Sequence, residues 1–200
     1  YHLYRFAAVN GLPVECRDAQ QAKDWEELES LAARWCWWEP EQATPWIYRA
    51  EAATETDEWA QAVALLGHLP DMDPKTPLAL VERSSIQFDE LNRPLDGAES
   101  LEWAVRLDPT LVEARRRLIF FYAFTLQRGK MGSHIYEAIR LNCDVPEMYV
   151  YLMLQDSLSF ANAYDENTKW HLGDKNEEIF IVARAIYRIR TRGLDESEAP

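Results

Sequence analysis

Three segments of this chain end alike, in Glu39-Pro40, Asp73-Pro74 and Asp108-Pro109, and their prolines stand 34 and 35 residues apart. A further step of 34 from Pro109 reaches Cys143, where Arg140-Leu141-Asn142 repeats Arg106-Leu107-Asp108. One more step carries Asn142 to Asn176, and Asp24-Trp25 is echoed at the same interval by Glu58-Trp59. A period of this size makes each unit a single supersecondary element. Such an element cannot bury its apolar faces alone, so neighbouring units must stack.

The apolar columns agree with the period. One column reads Trp35, Leu69, Ala104, Ala138, Leu172; three residues earlier another reads Ala32, Leu66, Leu101, Ile135 and fails at Lys169. Three-and-four spacing, as in Leu28, Ala32 and Trp35, marks one buried helical stripe ahead of each proline. Proline then stops the helix, because it lacks an N–H and restricts the residue before it. Between prolines a second amphipathic stretch is predicted, at Pro45–Thr54, Leu78–Phe88, Leu111–Leu126 and Glu147–Phe160. Turns are expected at Glu55-Thr56-Asp57, Asn92-Arg93-Pro94 and Arg128-Gly129. Each period is helix, tight turn, helix, and the fold class is all-α.

These units resemble the tetratricopeptide repeat family of 34-residue helix–turn–helix pairs. In the second unit Trp46, Ala50, Ala62, Leu66 and Pro74 fall at signature positions. In the third they are Ser85, Phe88, Gly97, Leu101, Ala104 and Pro109. The fourth offers Tyr122, Ile135 and Ala138, with Cys143 where proline is usual, and the first keeps only its second helix clearly. The likeness is good over residues 13–142. It implies a right-handed α-solenoid of about four to five stacked hairpins. The array would occupy residues 1–145, and a degraded last repeat with a C-terminal helix would continue it over 146–200. Stacking would place Trp46, Trp59, Leu66 and Phe88 between adjacent hairpins.

From Ser159 to Glu178 loop-forming residues interrupt the alternation, and Glu177–Arg192 then reads as a helix with Ile179, Val182, Ala183, Ile186 and Ile189 on one face. Arg184, Arg188 and Arg192 share another face. They either complement the helix dipole or offer a contact to an acidic partner.

Composition narrows the function classes. Against 34 acidic residues stand 21 Lys and Arg, a formal net charge of −13, which disfavours nucleic acid and anionic membrane surfaces as partners. No run of about 18 apolar residues offers a membrane span. Cys16, Cys36 and Cys143 are too dispersed for a disulfide framework or a zinc site and read as small buried apolar groups, which leans towards a reducing, cytoplasmic compartment. A start at Tyr1 rather than Met suggests a piece of a longer protein.

No catalytic or metal constellation stands out, so an enzyme, a cofactor and a metal are not expected. His134 and Glu137 lie one turn apart, as on many solvated helix faces. Asp165-Glu166-Asn167 and Asp174-Lys175-Asn176 have Trp170 and Ile179 where a calcium loop needs its sixth-position glycine. Glycine-rich phosphate loops and nucleophile elbows are absent.

The repeat likeness instead implies a concave groove lined by the first helix of each unit. Its positions correspond to Ile47 and Glu51, then Glu82, Ile86 and Asp89, then Arg116, Phe120 and Phe124. The family's Lys/Asn/Arg clamp for a two-carboxylate tail is missing: one clamp position holds Ile47, Glu82 and Arg116, another Glu51, Ile86 and Phe120. The expected partner is therefore a protein or peptide with basic and apolar features. The expected function is a non-enzymatic scaffold or adaptor, an accessory or assembly subunit of a larger complex. The alternatives are a docking segment of a multidomain enzyme and a small-ligand sensor with Trp37 or Trp38 as contacts.

Overall fold

Short-range chemistry starts and stops each helix. The Asp24 carboxylate accepts the Glu27 N–H at 3.1 Å and so caps the helix that begins at Trp25, while Pro13 and Pro94 sit in first turns, where no N–H is needed. The computed structural model describes residues 9–159, which are helical and contain no strand among them. The helices are α1 (Leu12–Ala22), α2 (Trp25–Trp38), α3 (Ala43–Glu55), α4 (Trp59–Leu66), α5 (Thr76–Ser85), α6 (Pro94–Leu107), α7 (Val112–Phe124), α8 (Arg128–Arg140) and α9 (Pro146–Ser159). A π-type turn, Ile86–Glu90, continues α5.

Two compact units divide the chain, Tyr1–Leu111 and Val112–Pro200. In the first, each helix packs on its successor from α1 to α6; in the second, α7 packs on α8 and α9 touches both. The sequence reading divides the chain instead at 145/146. That boundary follows the fidelity of the repeat pattern, whereas the compact units follow contact density.

Hairpin closure recurs in the backbone. Lys23, Asp57, Asn92 and Leu126 all take left-handed conformations, with φ of 56°, 60°, 49° and 58°. In three of the four, the following N–H reaches five residues back: Asp24 to the Ala19 carbonyl (3.0 Å), Glu58 to Ala53 (2.8 Å) and Gln127 to Tyr122 (2.8 Å). These are Schellman-type closures, which satisfy carbonyls that a helix end leaves open. Asn142 and Cys143 repeat the device after α8, with Cys143 bonding to Ala138 at 3.0 Å.

The exception explains the uneven period. Arg93 N–H reaches the Gln87 carbonyl, six residues back, at 2.7 Å, and Leu91 N–H reaches Ile86 at 3.0 Å inside the π-type turn. The first four left-handed residues are spaced 34, 35 and 34 apart. The interval of 35 contains the π-type turn, so its extra residue is housed within a helix and not in a connector.

Several boundaries differ from expectation. The turn foreseen at Arg128-Gly129 lies earlier, at Leu126, and Arg128 already opens α8. α4 ends at Leu66, where the Gly67 N–H closes onto the Val63 and Ala64 carbonyls, well before Pro74. α1 is a full helix whose stripe of Leu12, Cys16 and Ala19 is buried.

Helix α3 lies between two apolar clusters. Ala52 joins Leu12, Cys16, Leu28, Ala32 and Trp35. Ala50 and Ala53 join Ala62, Leu66, Ala79 and Ile86, against which Trp46, Ile47 and Trp59 are half-buried. A helix covered on two faces needs small side chains, which accounts for the alanines of α3. Leu66 is fully enclosed, and burying a residue of that size contributes about 1.5–3 kcal/mol. Trp46, by contrast, keeps a wet edge: its Nε1–H donates to the Pro40 carbonyl at 3.0 Å and its ring lies 5.0 Å from that of His68.

Polar links tie neighbouring helices. Arg49 of α3 holds both carboxylate oxygens of Glu29 in α2 at 2.7–3.1 Å. Asp73 accepts the buried Ala43 N–H at 2.8 Å from 30 residues away, capping α3 from the start of the next unit. Trp103 Nε1–H donates to Asp71 at 2.9 Å in the same sense.

Candidate functional site

The eight expected groove residues divide between the compact units. Ile47, Glu51, Glu82, Ile86 and Asp89 belong to the first, and Arg116, Phe120 and Phe124 to the second.

In the first unit the acidic pair is brought together. Both oxygens of Glu51 accept from Gln20 Nε2 at 2.7 and 2.6 Å, which ties α3 to α1. Glu82 of α5 is held above the ordinary carboxylate value, first by desolvation of its carboxyl and second by the negative charge of Glu51. Asp89 is exposed in the π-type turn. Ile47 is half-buried against the core. Ile86 departs from the groove reading: it is 5 % exposed and packs in one cluster with Leu66 and with Ala79, two turns earlier on the same helix face.

In the second unit α7 presents an aromatic pair. Phe120 and Phe124 are 59 % and 80 % exposed, and their rings stack with centroids 6.3 Å apart at 17°. The i, i+4 spacing puts both on one face, one turn beyond Arg116. Arg116 is ion-paired to Glu113 at 3.6 Å and to Glu147 of α9 at 3.4 Å. Large solvated aromatic surface costs free energy in water, and a partner that covers it recovers that cost.

The other sequence candidates are accounted for locally. Trp37 is 73 % exposed and meets Trp38 edge-on at 4.4 Å, whereas Trp35 is buried and donates to Glu39 at 2.9 Å. His134 stacks on Tyr122 at 5.6 Å, and Glu137 is engaged by Arg140, whose hydrogen bonds lower the carboxyl's pKa. Among the described residues no group of three His, Cys, Asp or Glu is placed to hold a metal ion, and no helix is long and apolar enough to cross a membrane. The calcium-like segments, the arginine face of Arg184, Arg188 and Arg192, and the apolar face at 179–189 lie outside the described residues.

One feature escaped the sequence reading. A cleft of about 590 Å³ in the first unit is lined by Val63, Arg83, Gln87, Asp96, Trp103 and their neighbours. Its inner residues are polar positions of helices, with no motif to flag them.

Comparison with protein-family models and with curated protein sequences finds no match to this chain.

Proposed function

We propose that the chain is a non-enzymatic interaction scaffold, its hairpins stacked as a right-handed tetratricopeptide-like solenoid, serving as an accessory or assembly subunit of a larger complex. The exposed stack of Phe120 and Phe124 is the observation that carries this reading, since it offers an aromatic anchor on one face of α7. Glu51, Glu82 and Asp89 supply acidic character in the other unit, so the preferred partner is a protein or peptide with both apolar and basic groups. The recurrence of a left-handed residue at the hairpin turns, at intervals of 34, 35 and 34 residues, supports the repeat assignment.

The double variant Phe120→Ala/Phe124→Ala tests the reading. Both side chains are largely solvated, so helicity and melting should stay close to the parent while partner capture is lost. Undiminished capture would remove this surface from the interface. A melting shift driven by a small molecule, with no protein partner, would favour ligand sensing at Trp37 and Trp38.

A further inference from the structure

Arg83 projects from α5 between α4 and α6, and its guanidinium is fixed by two neutral acceptors. Nε donates to the Val63 carbonyl at 3.1 Å, and Nη1 donates to Ser100 Oγ at 3.2 Å. The Ser100 hydroxyl in turn donates to Gln87 Oε1 at 2.6 Å. This short chain of hydrogen bonds locks the plane of the guanidinium and the orientation of the Gln87 amide. Two donor groups are left over. Among the described residues Arg83 Nη2 has no hydrogen-bonded or ion-paired partner, and neither has Gln87 Nε2. Gln87 is only 3 % exposed, and both residues line the 590 Å³ cleft.

An arginine without a carboxylate partner is unexpected in a chain of net charge −13. Asp96 and Glu99 are near enough to act on Arg83 through space, yet Asp96 is engaged by Arg93 at 2.5 Å. Burial, the largest influence on Arg83, pushes its pKa down, and the charges of Asp96 and Glu99 offset this only through space, without a hydrogen bond to the guanidinium. The chemistry that completes the site is an acceptor-only group carrying negative charge, which a fixed guanidinium binds through parallel hydrogen bonds. We propose that the cleft between α4, α5 and α6 binds an oxyanion, a phosphate or a carboxylate, through Arg83 Nη2 and Gln87 Nε2. Because these donors are already held in place, little further ordering is needed on binding. The cleft lies in the first unit and shares no residue with the Phe120–Phe124 surface, so either assignment can fail without the other.

The test is a titration of the isotopically labelled full chain, followed through the side-chain N–H signals of Arg83 and Gln87. One arm uses inorganic phosphate and the other N-acetyl-glutamate amide, each against chloride at matched ionic strength. Saturable shifts of both signals in either arm are expected, and the responding arm tells a free phosphate from an acidic side chain. Arg83→Lys keeps the charge but loses the planar fork, and should abolish saturation. Asp96→Asn, a change at the cleft rim, frees Arg93 and should tighten binding about two- to fivefold, the range for losing one exposed ion pair. No saturable shift in either arm, or equal shifts in Arg83→Lys, overturns the proposal. Affinity unchanged or weakened in Asp96→Asn does so as well.

Discussion

Gly97 sits in the first turn of α6 against the face of Phe88. A Cβ at this position would lie 2.6 Å from both Cδ2 and Cε2 of the ring, whereas carbon atoms in contact normally stand about 3.5–4.0 Å apart. The two ring atoms move as one rigid plate, so a small rotation cannot relieve the overlap. Overpacking of this kind costs about 1–3 kcal/mol. Replacing glycine by alanine in a helix regains about 0.5–1 kcal/mol, which leaves Gly97→Ala destabilised by up to about 2.5 kcal/mol. Removing the ring should reverse the sign. In a Phe88→Ala background the same substitution should stabilise by about 0.5–1 kcal/mol, giving a coupling of about 1–3 kcal/mol across the cycle. Phe88→Ala itself should lose no more than about 3 kcal/mol, because the ring is half-buried. Urea unfolding of the four proteins, followed by far-ultraviolet circular dichroism and tryptophan fluorescence, measures each term. An equal effect of Gly97→Ala in both backgrounds would refute the packing argument.

Three further outcomes follow from the same structure. Leu126 is 75 % exposed and left-handed, so Leu126→Gly should raise stability by about 0.5–1 kcal/mol through relief of backbone strain; Leu126→Ala, equally strained, should not, and equal gains in both would discard the strain account. Burial pushes the Cys16 and Cys36 thiols up to about 11, whereas Cys143 is partly open. Native protein at about pH 8 should therefore expose Cys143 to a thiol reagent first, with Cys16 and Cys36 reacting only on unfolding; rapid native labelling of either buried thiol would contradict this. Glu82 has a raised folded-state pKa, so its contribution is present below the unfolded value and is lost as pH rises through the folded one. Glu82→Gln should accordingly gain stability over the parent as pH rises above the ordinary carboxylate value of about 4.3, and a difference that stays flat with pH would show that its carboxyl is not perturbed.

Periodic burial was the legible part of the sequence. Leu28, Ala32 and Trp35, and later Leu101 and Ala104, are buried as their spacing predicts, since a helix must present one stripe to its neighbours. The turns at Asp57 and Asn92 were readable because short polar side chains tolerate left-handed backbone. Leu126 was not, because a leucine there runs against local preference and is imposed by the closure of α7 onto α8. α1 was missed because only three of its residues, Leu12, Cys16 and Ala19, are buried and its other positions are largely polar. Phe120 and Phe124 were named from the repeat likeness, and their i, i+4 spacing puts both on one exposed face of α7. Ile86, named from the same likeness, is buried instead, on one helix face with Ala79 seven residues earlier. The Arg83–Ser100–Gln87 chain joins positions 13 and 17 residues apart, a tertiary arrangement no local spacing announces.

The widened turn at Ile86–Glu90 also bears on how the units should be aligned with one another. One surplus residue in a regular helix would swing all that follows by about 100° about the axis. Here the looser coil absorbs that swing, and Gly97 still meets Phe88. A gap used to bring this unit into column with its neighbours belongs inside the rod, between 86 and 90. Placed at a bend, it would shift every intervening position by one and set inward-facing residues against outward-facing ones.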